Sequence, residues 1–162
     1  MRRVGAPEEN VLIAQSNLAS TYHALERFEE SNCVLRDVYS GRLKLYGKEH
    51  ERTLIAANNY ANSLVGIDRF EEAKSLLRET VPVTQRVLGA NHDFTLRMRS
   101  SYAHALYNDP SASLDDLREA VTTLEETART ARRVLGGTHP LTSAIEGDLR
   151  KSRAAPREAP HS

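Results

Sequence analysis

The stretch Arg86-Val87-Leu88-Gly89-Ala90-Asn91-His92-Asp93-Phe94-Thr95-Leu96 occurs three times in related form. Leu45-Tyr46-Gly47-Lys48-Glu49-His50-Glu51-Arg52-Thr53-Leu54 precedes it, and Arg133-Val134-Leu135-Gly136-Gly137-Thr138-His139-Pro140-Leu141-Thr142 follows it. Gly47, Gly89 and Gly136 stand 42 and 47 residues apart, and His50, His92 and His139 keep the same steps. Self-similarity at such a period marks an array of supersecondary units.

Between the copies the chain reads as pairs of helices. Leu54, Ala57, Tyr60, Ala61 and Leu64 share one helical face. Gly66 interrupts it, and Asp68-Arg69-Phe70-Glu71 reads as an N-cap with an acidic residue three places on. The next helix, about 69–88, should bury Phe70, Ala73, Leu76, Leu77, Val81 and Val87, with Pro82 kinking it. Gly89 falls where a helix wants its C′ residue. The first unit matches this one 42 residues earlier, Asn17-Leu18-Ala19 for Asn59-Tyr60-Ala61 and Arg27-Phe28-Glu29-Glu30 for Arg69-Phe70-Glu71-Glu72. The third begins in step at Ser101-Tyr102-Ala103, then gains five residues around 108–112, where Ser113 and Asp116 can cap the delayed helix.

Residues 2–6 resemble the end of a preceding unit with one residue missing, so 1–6 reads as its remnant. Pro140 suits a first helical position, and Leu141, Ile145 and Leu149 form one apolar stripe. Arg150 stands where earlier units have alanine for close packing, so 140–152 reads as a cap helix that seals the array. The expected organisation is repeats 7–47, 48–89 and 90–136, the cap helix, and a disordered tail over 153–162.

Composition narrows the function classes. Lys plus Arg and Asp plus Glu number 22 each among 162 residues, which gives no electrostatic reason to expect nucleic acid or an anionic membrane. Cys33 is the one cysteine, so no intrachain disulfide framework exists, which fits a reducing, cytoplasmic location. The start lacks the apolar core of a signal peptide, and no apolar run reaches the ~20 residues of a membrane span. Three evenly placed histidines raise a metal site. Each opens a different repeat, however, whereas zinc ligands converge to ~2.0–2.1 Å from one ion. They read as loop residues shaping the approach to the first helix of each pair, and Thr53, Thr95 and Thr142 as helix-start residues. No phosphate loop, nucleophile elbow or zinc-protease motif is present. The sequence offers no catalytic residue, metal ligand or cofactor site.

Leu-Gly-x-x-His-x-x-Thr-Leu, then Asn-x-Ala within the first helix, then Arg-Phe-Glu-Glu-Ala opening the second, resembles the long tetratricopeptide repeats of kinesin light chains and nephrocystin-like proteins. Ala19, Ala61 and Ala103, with Ser31, Ala73 and Ala120, occupy that family's close-contact positions. The resemblance implies an all-α, right-handed α-solenoid of three helix-turn-helix pairs plus a C-terminal cap helix, whose concave wall of first helices binds peptides or proteins. In those helices Ile13, Asn17, Ser20; Ile55, Asn59, Asn62; and Arg97, Ser101, His104 share one face at i, i+4, i+7. Asparagine both donates and accepts hydrogen bonds, which suits an extended peptide backbone. The resemblance supports a partner-binding groove of Asn17, Ser20, Asn59, Asn62, Arg97, Ser101 and His104. The expected function is a monomeric, non-catalytic protein-interaction scaffold in the cytoplasm. The alternative is a structural or regulatory segment that packs on another domain or self-associates, which would expose apolar surface on the first helix.

Overall fold

The computed structural model describes residues 6–155, which form seven α-helices and no strand. These are α1 (Ala6–Ala24), α2 (Phe28–Tyr46), α3 (Glu51–Gly66), α4 (Phe70–Leu88), α5 (Asp93–Asn108), α6 (Leu114–Leu135) and α7 (Pro140–Ala154). Three helix pairs followed by a single helix is the expected all-α order. Ala6 opens α1, while the rest of the expected N-terminal remnant lies outside the described residues. Arg153 and Ala154, assigned to the tail by sequence, are helical; the tail from 156 on lies outside the described residues.

The chain forms two compact units, one up to Leu76 and one from Leu77, and the division falls within α4. In the first unit α2 packs against both α1 and α3. Leu12, Ala19, Val38, Leu54, Ala57, Ala61 and Leu64 make its core. The alanines permit the close approach that the Ser31 hydroxyl uses, donating to the Ala19 carbonyl at 2.9 Å. Glu9, buried in the first turn of α1, meets Arg42 of α2 at 3.2 Å and Arg52 of α3 at 3.3 Å. One carboxylate thereby links three helices.

In the second unit α6 packs on α5, and α7 packs on both. Leu96, Met98, Ala103, Leu106, Ala120, Leu124, Ala131 and Ile145 are its centre. Arg132–Glu146 and Arg153–Glu125 tie α7 to α6. Arg150 is exposed, as its place on a terminal helix requires. Val87, read as core, and Val134, at the same place in the third repeat, are 40% and 44% exposed. Each is the penultimate residue of a long helix, beyond the reach of its neighbours.

The repeated loop is a two-part device. Gly47, Gly89 and Gly136 take φ of 84, 97 and 94°, the left-handed region that ends a helix without a Cβ penalty. Three residues later a histidine caps the next helix. The Nδ1 of His50, His92 and His139 accepts from the N–H of Arg52, Phe94 and Leu141, each at 3.1 Å. The threonines are not the caps. Thr53, Thr95 and Thr142 sit at the third helical position and are buried, and the hydroxyls of the first two donate back to the carbonyls of Arg42 and Gly89 at 3.1 and 2.7 Å.

The turn inside each of the first two pairs also differs from its sequence reading. Asp68 is not an N-cap. It has φ 62°, the Asp68 N–H donates to the Val65 carbonyl, and the Arg69 N–H donates to the Leu64 carbonyl. Those two bonds around a left-handed residue are a Schellman motif. Glu26, with φ 58°, repeats it through Glu26 to His23 and Arg27 to Tyr22. Gly66 is merely the last helical residue. In the third pair the five extra residues replace this turn. Asp109 accepts from the Ser111 N–H and hydroxyl, and Ser113 with Asp116 forms the expected capping box. Helix α4 continues through Pro82, which is exposed and leaves the Arg78 carbonyl without its helical donor.

Candidate functional site

The first unit contains a cleft between α1 and α3, floored by α2, of about 520 Å3. Asn17 and Ser20 line it from α1, and Asn59 and Asn62 from α3, so these four sequence-derived candidates come together. Ile13 is 44% exposed and lies outside the cleft. Ser16, His23 and Ser63 complete the polar rim. Ala19, Phe28 and Leu35 supply an apolar floor. No Asp, Glu, Lys or Arg lines it.

The polar groups divide into occupied and free. Ser16 and Ser20 hydroxyls donate to carbonyls one turn back in α1. Asn32, buried on α2, donates to the Ser63 hydroxyl at 2.8 Å, and Ser63 donates to the Tyr60 carbonyl at 2.7 Å. The His23 ring stands edge-on to Phe28 with centroids 5.2 Å apart. Asn17, Asn59 and Asn62 are exposed, and none of their side-chain amides has a partner among the described residues. Three free amides above an apolar floor can bond to an extended chain while the floor takes one of its side chains.

The other three candidates lie on α5 in the second unit. Arg97 is exposed, and Ser101 and His104 are half-buried. Burial holds the His104 imidazole below the usual histidine range, with the Asp148 carboxylate acting in the opposite sense. The ring stands edge-on to Tyr107 at 5.4 Å. The repeat steps place Ser101 and then Asp148 where the earlier first helices carry Asn17 and Asn59. Asp148 of α7 accepts from the Ser100 hydroxyl and the Tyr107 hydroxyl, each at 3.0 Å. Burial, then the Asp148 charge, push the Tyr107 hydroxyl well above the ordinary tyrosine value, so it remains a donor. The position that carries a free amide in the first unit therefore holds α7 onto α5 in the second.

Sequence reading missed the floor of the cleft. Phe28, Ser31 and Leu35 belong to a second helix, and no spacing within the first helices points to them. Ser63 was within reach, one turn beyond Asn59. The three histidines bond as caps of separate helices, and no group of three or more His, Cys, Asp or Glu side chains among the described residues is placed to hold a metal. No described helix is long and apolar enough to cross a membrane.

The tetratricopeptide repeat family profile matches residues 10–84. No curated protein matches the chain. Among solved structures, nearly identical TPR-like repeats of a kinesin-light-chain-type protein from Podosopora anserina are similar at 24% identity and TM-score 0.71. The match covers 89% of this chain and 66% of that one. A single-substitution variant of the same repeats gives TM-score 0.74 at the same identity and coverage. BtubC (BKLC) from P. vanneervenii is similar at 15% identity and TM-score 0.70, over 91% of this chain and 61% of that one. The chain thus spans less than two thirds of the length of these structures. Repeats of this kind generally mediate protein–protein interaction and are typically non-catalytic. Residues 10–84 match the tetratricopeptide repeat family, and across the described helices the chain has the fold of these kinesin-light-chain-like repeats.

Proposed function

We propose that the protein is a non-catalytic interaction module that binds an extended peptide segment of a partner protein in the cleft between α1 and α3. The carrying observation is the set of unpartnered amides of Asn17, Asn59 and Asn62 above Ala19, Phe28 and Leu35. The amides would bond to the ligand backbone, and the floor would take an uncharged apolar side chain. A charged side chain fits less well, because no Asp, Glu, Lys or Arg lines the cleft to compensate its desolvation. Arg97, Ser101 and His104 of α5 are proposed as a partner-contacting face of the second unit by itself, with Arg97 suited to an acidic or polar group. The single cysteine, which leaves no intrachain disulfide framework, supports a module at work in the reducing cytoplasm.

The test is selection of peptides from a displayed library on the full chain, followed by calorimetric titration of one selected peptide. Asn59→Ala combined with Asn62→Ala removes hydrogen bonds worth ~0.5–1.5 kcal/mol each, so affinity should fall by about five- to a hundredfold. Alanine is the better helix former, so folding should be preserved. Arg97→Glu, measured by itself, should weaken a ligand that carries an acidic group, and do so less at high salt. Unchanged affinity in the folded Asn59/Asn62 variant would remove binding from this cleft.

A further inference from the structure

Helix α1 and the residue after it contain no Asp, Glu, Lys or Arg from Asn10 to Leu25. Yet Val11, Leu18 and Leu25 are 57, 43 and 62% exposed. Spaced seven apart, they line one face. The 42-residue step identifies that face in the later repeats as Thr53, Tyr60 and Ile67, then Thr95, Tyr102 and Asp109. There it is covered by the preceding helix. Thr53 donates to the Arg42 carbonyl of α2, and Tyr60 stacks on Tyr39 with centroids 6.1 Å apart. Thr84 of α4 meets Met98, and Arg78 of α4 donates to the Tyr102 hydroxyl at 3.4 Å.

We propose that the Val11–Leu18–Leu25 face is a docking surface for an amphipathic α-helix, lying on α1 as α2 lies on α3. The surface continues an interface that this chain already builds twice. Its chemistry sets the occupant apart from α2 and α4. Valine replaces the threonine that reaches for a carbonyl, and leucine replaces the tyrosine that stacks or accepts from arginine. A buried polar group opposite Val11 or Leu18 would find no partner, so the docking helix carries an unbroken aliphatic stripe. Glu8 and Glu26 bracket the stripe, are exposed, and have no partner among the described residues. The docking helix therefore carries Lys or Arg at its two ends.

The same charges disfavour a second copy of the chain. Antiparallel pairing about Leu18 sets Val11 against Leu25 and brings Glu8 near Glu26, while parallel pairing sets each glutamate against itself.

The probe is a fluorescein-labelled synthetic helix of 19 residues with a continuous leucine stripe and lysines at both ends. Its anisotropy is read against the full chain. A peptide of equal composition, shuffled to break the stripe, should bind at least tenfold more weakly. Leu18→Lys and Leu25→Lys, both at exposed positions and checked for helicity, should each cost at least tenfold with the striped peptide. Asn59→Ala with Asn62→Ala should leave its binding unchanged, which separates this surface from the cleft. Hydrogen exchange in α1 should slow on binding. Equal binding of the shuffled peptide, indifference to Leu18→Lys, or loss of binding in the asparagine variant would each overturn the proposal. A concentration-dependent dimer that Leu18→Lys dissolves would overturn it in favour of a second copy.

Discussion

Glu26 and Asp68 hold the only non-glycine positive φ angles among the described residues, 58° and 62°, at equivalent turns. A left-handed L-residue carries about 1–2 kcal/mol of strain, which glycine does not. Glycine also loses more chain entropy on folding, by roughly 0.5–1 kcal/mol. The difference predicts that Glu26→Gly stabilises by about 0.5–1 kcal/mol. Asp68→Gly should gain less, because a short Asp side chain tolerates this conformation better than Glu. Alanine at either position should not gain, since it keeps the Cβ. Urea unfolding of the four single variants measures these differences, and a gain of 1 kcal/mol corresponds to about 2–4 °C in Tm for a chain of this size. The alternative geometry, with Asp68 capping α4, predicts the opposite sign: glycine would cost a few tenths and alanine about 1 kcal/mol. Destabilisation by Asp68→Gly would refute the Schellman assignment for the second repeat. Destabilisation by Glu26→Gly would refute it for the first.

Three further outcomes follow from single contacts. His139→Ala should lower stability by about 0.5–2 kcal/mol in chemical unfolding through loss of its cap, and His139→Asp should retain most of it. Asp148→Ala removes two hydrogen bonds to a carboxylate at ~1.5–3 kcal/mol each and should loosen α7, read as faster hydrogen exchange over 140–154, with Asp148→Asn milder. His104 has a folded-state pKa below its unfolded value near 6.5. The unfolded state therefore takes up the proton first, and the stability it contributes is full above that value and lost as pH falls toward the folded pKa. The pH dependence of unfolding between wild type and His104→Asn should differ below about pH 6.5 and converge above it.

Much of the fold was legible because a repeated unit reports itself in sequence. Gly89 marks a helix end through φ alone, and a Cβ-free residue there needs no tertiary information. Leu54, Ala57, Ala61 and Leu64 are buried where the 3.6-residue period puts them. The errors arose where one sequence pattern serves two geometries. Asp68-Arg69-Phe70-Glu71 satisfies the rule for an N-cap, but the preceding helix ends at Gly66 and its C-terminal turn claims Asp68. The threonines of the repeated loop satisfy the same rule. The histidine three residues before each reaches the free N–H first, leaving the threonine hydroxyl to turn inward.

The candidate site divides along the same line. Asn17, Asn59 and Asn62 were legible because a repeated polar residue on an otherwise apolar helix has few structural reasons to recur. What could not be read was whether a given slot stays open. Ser101 shares a register with the asparagines, and so does Asp148, yet the second of these is bonded to Ser100 and Tyr107. An aspartate in that slot is drawn to hydroxyl donors on the neighbouring helix. An asparagine there has no such donor opposite, because Ser16 and Ser20 spend their hydroxyls on their own helix and His23 lies against Phe28. The difference between a binding cleft and a sealed joint thus rests on what the adjacent helix offers at i−1 and i+6 of the slot: Ser100 and Tyr107 beside Ser101, but Ser16 and His23 beside Asn17. Placing tyrosine at His23 together with aspartate at Asn59 should therefore close the first cleft, with peptide affinity lost and the thermal stability of the unit raised. Retained peptide binding in that double variant would show that the openness of the cleft is set by backbone separation and not by these side chains.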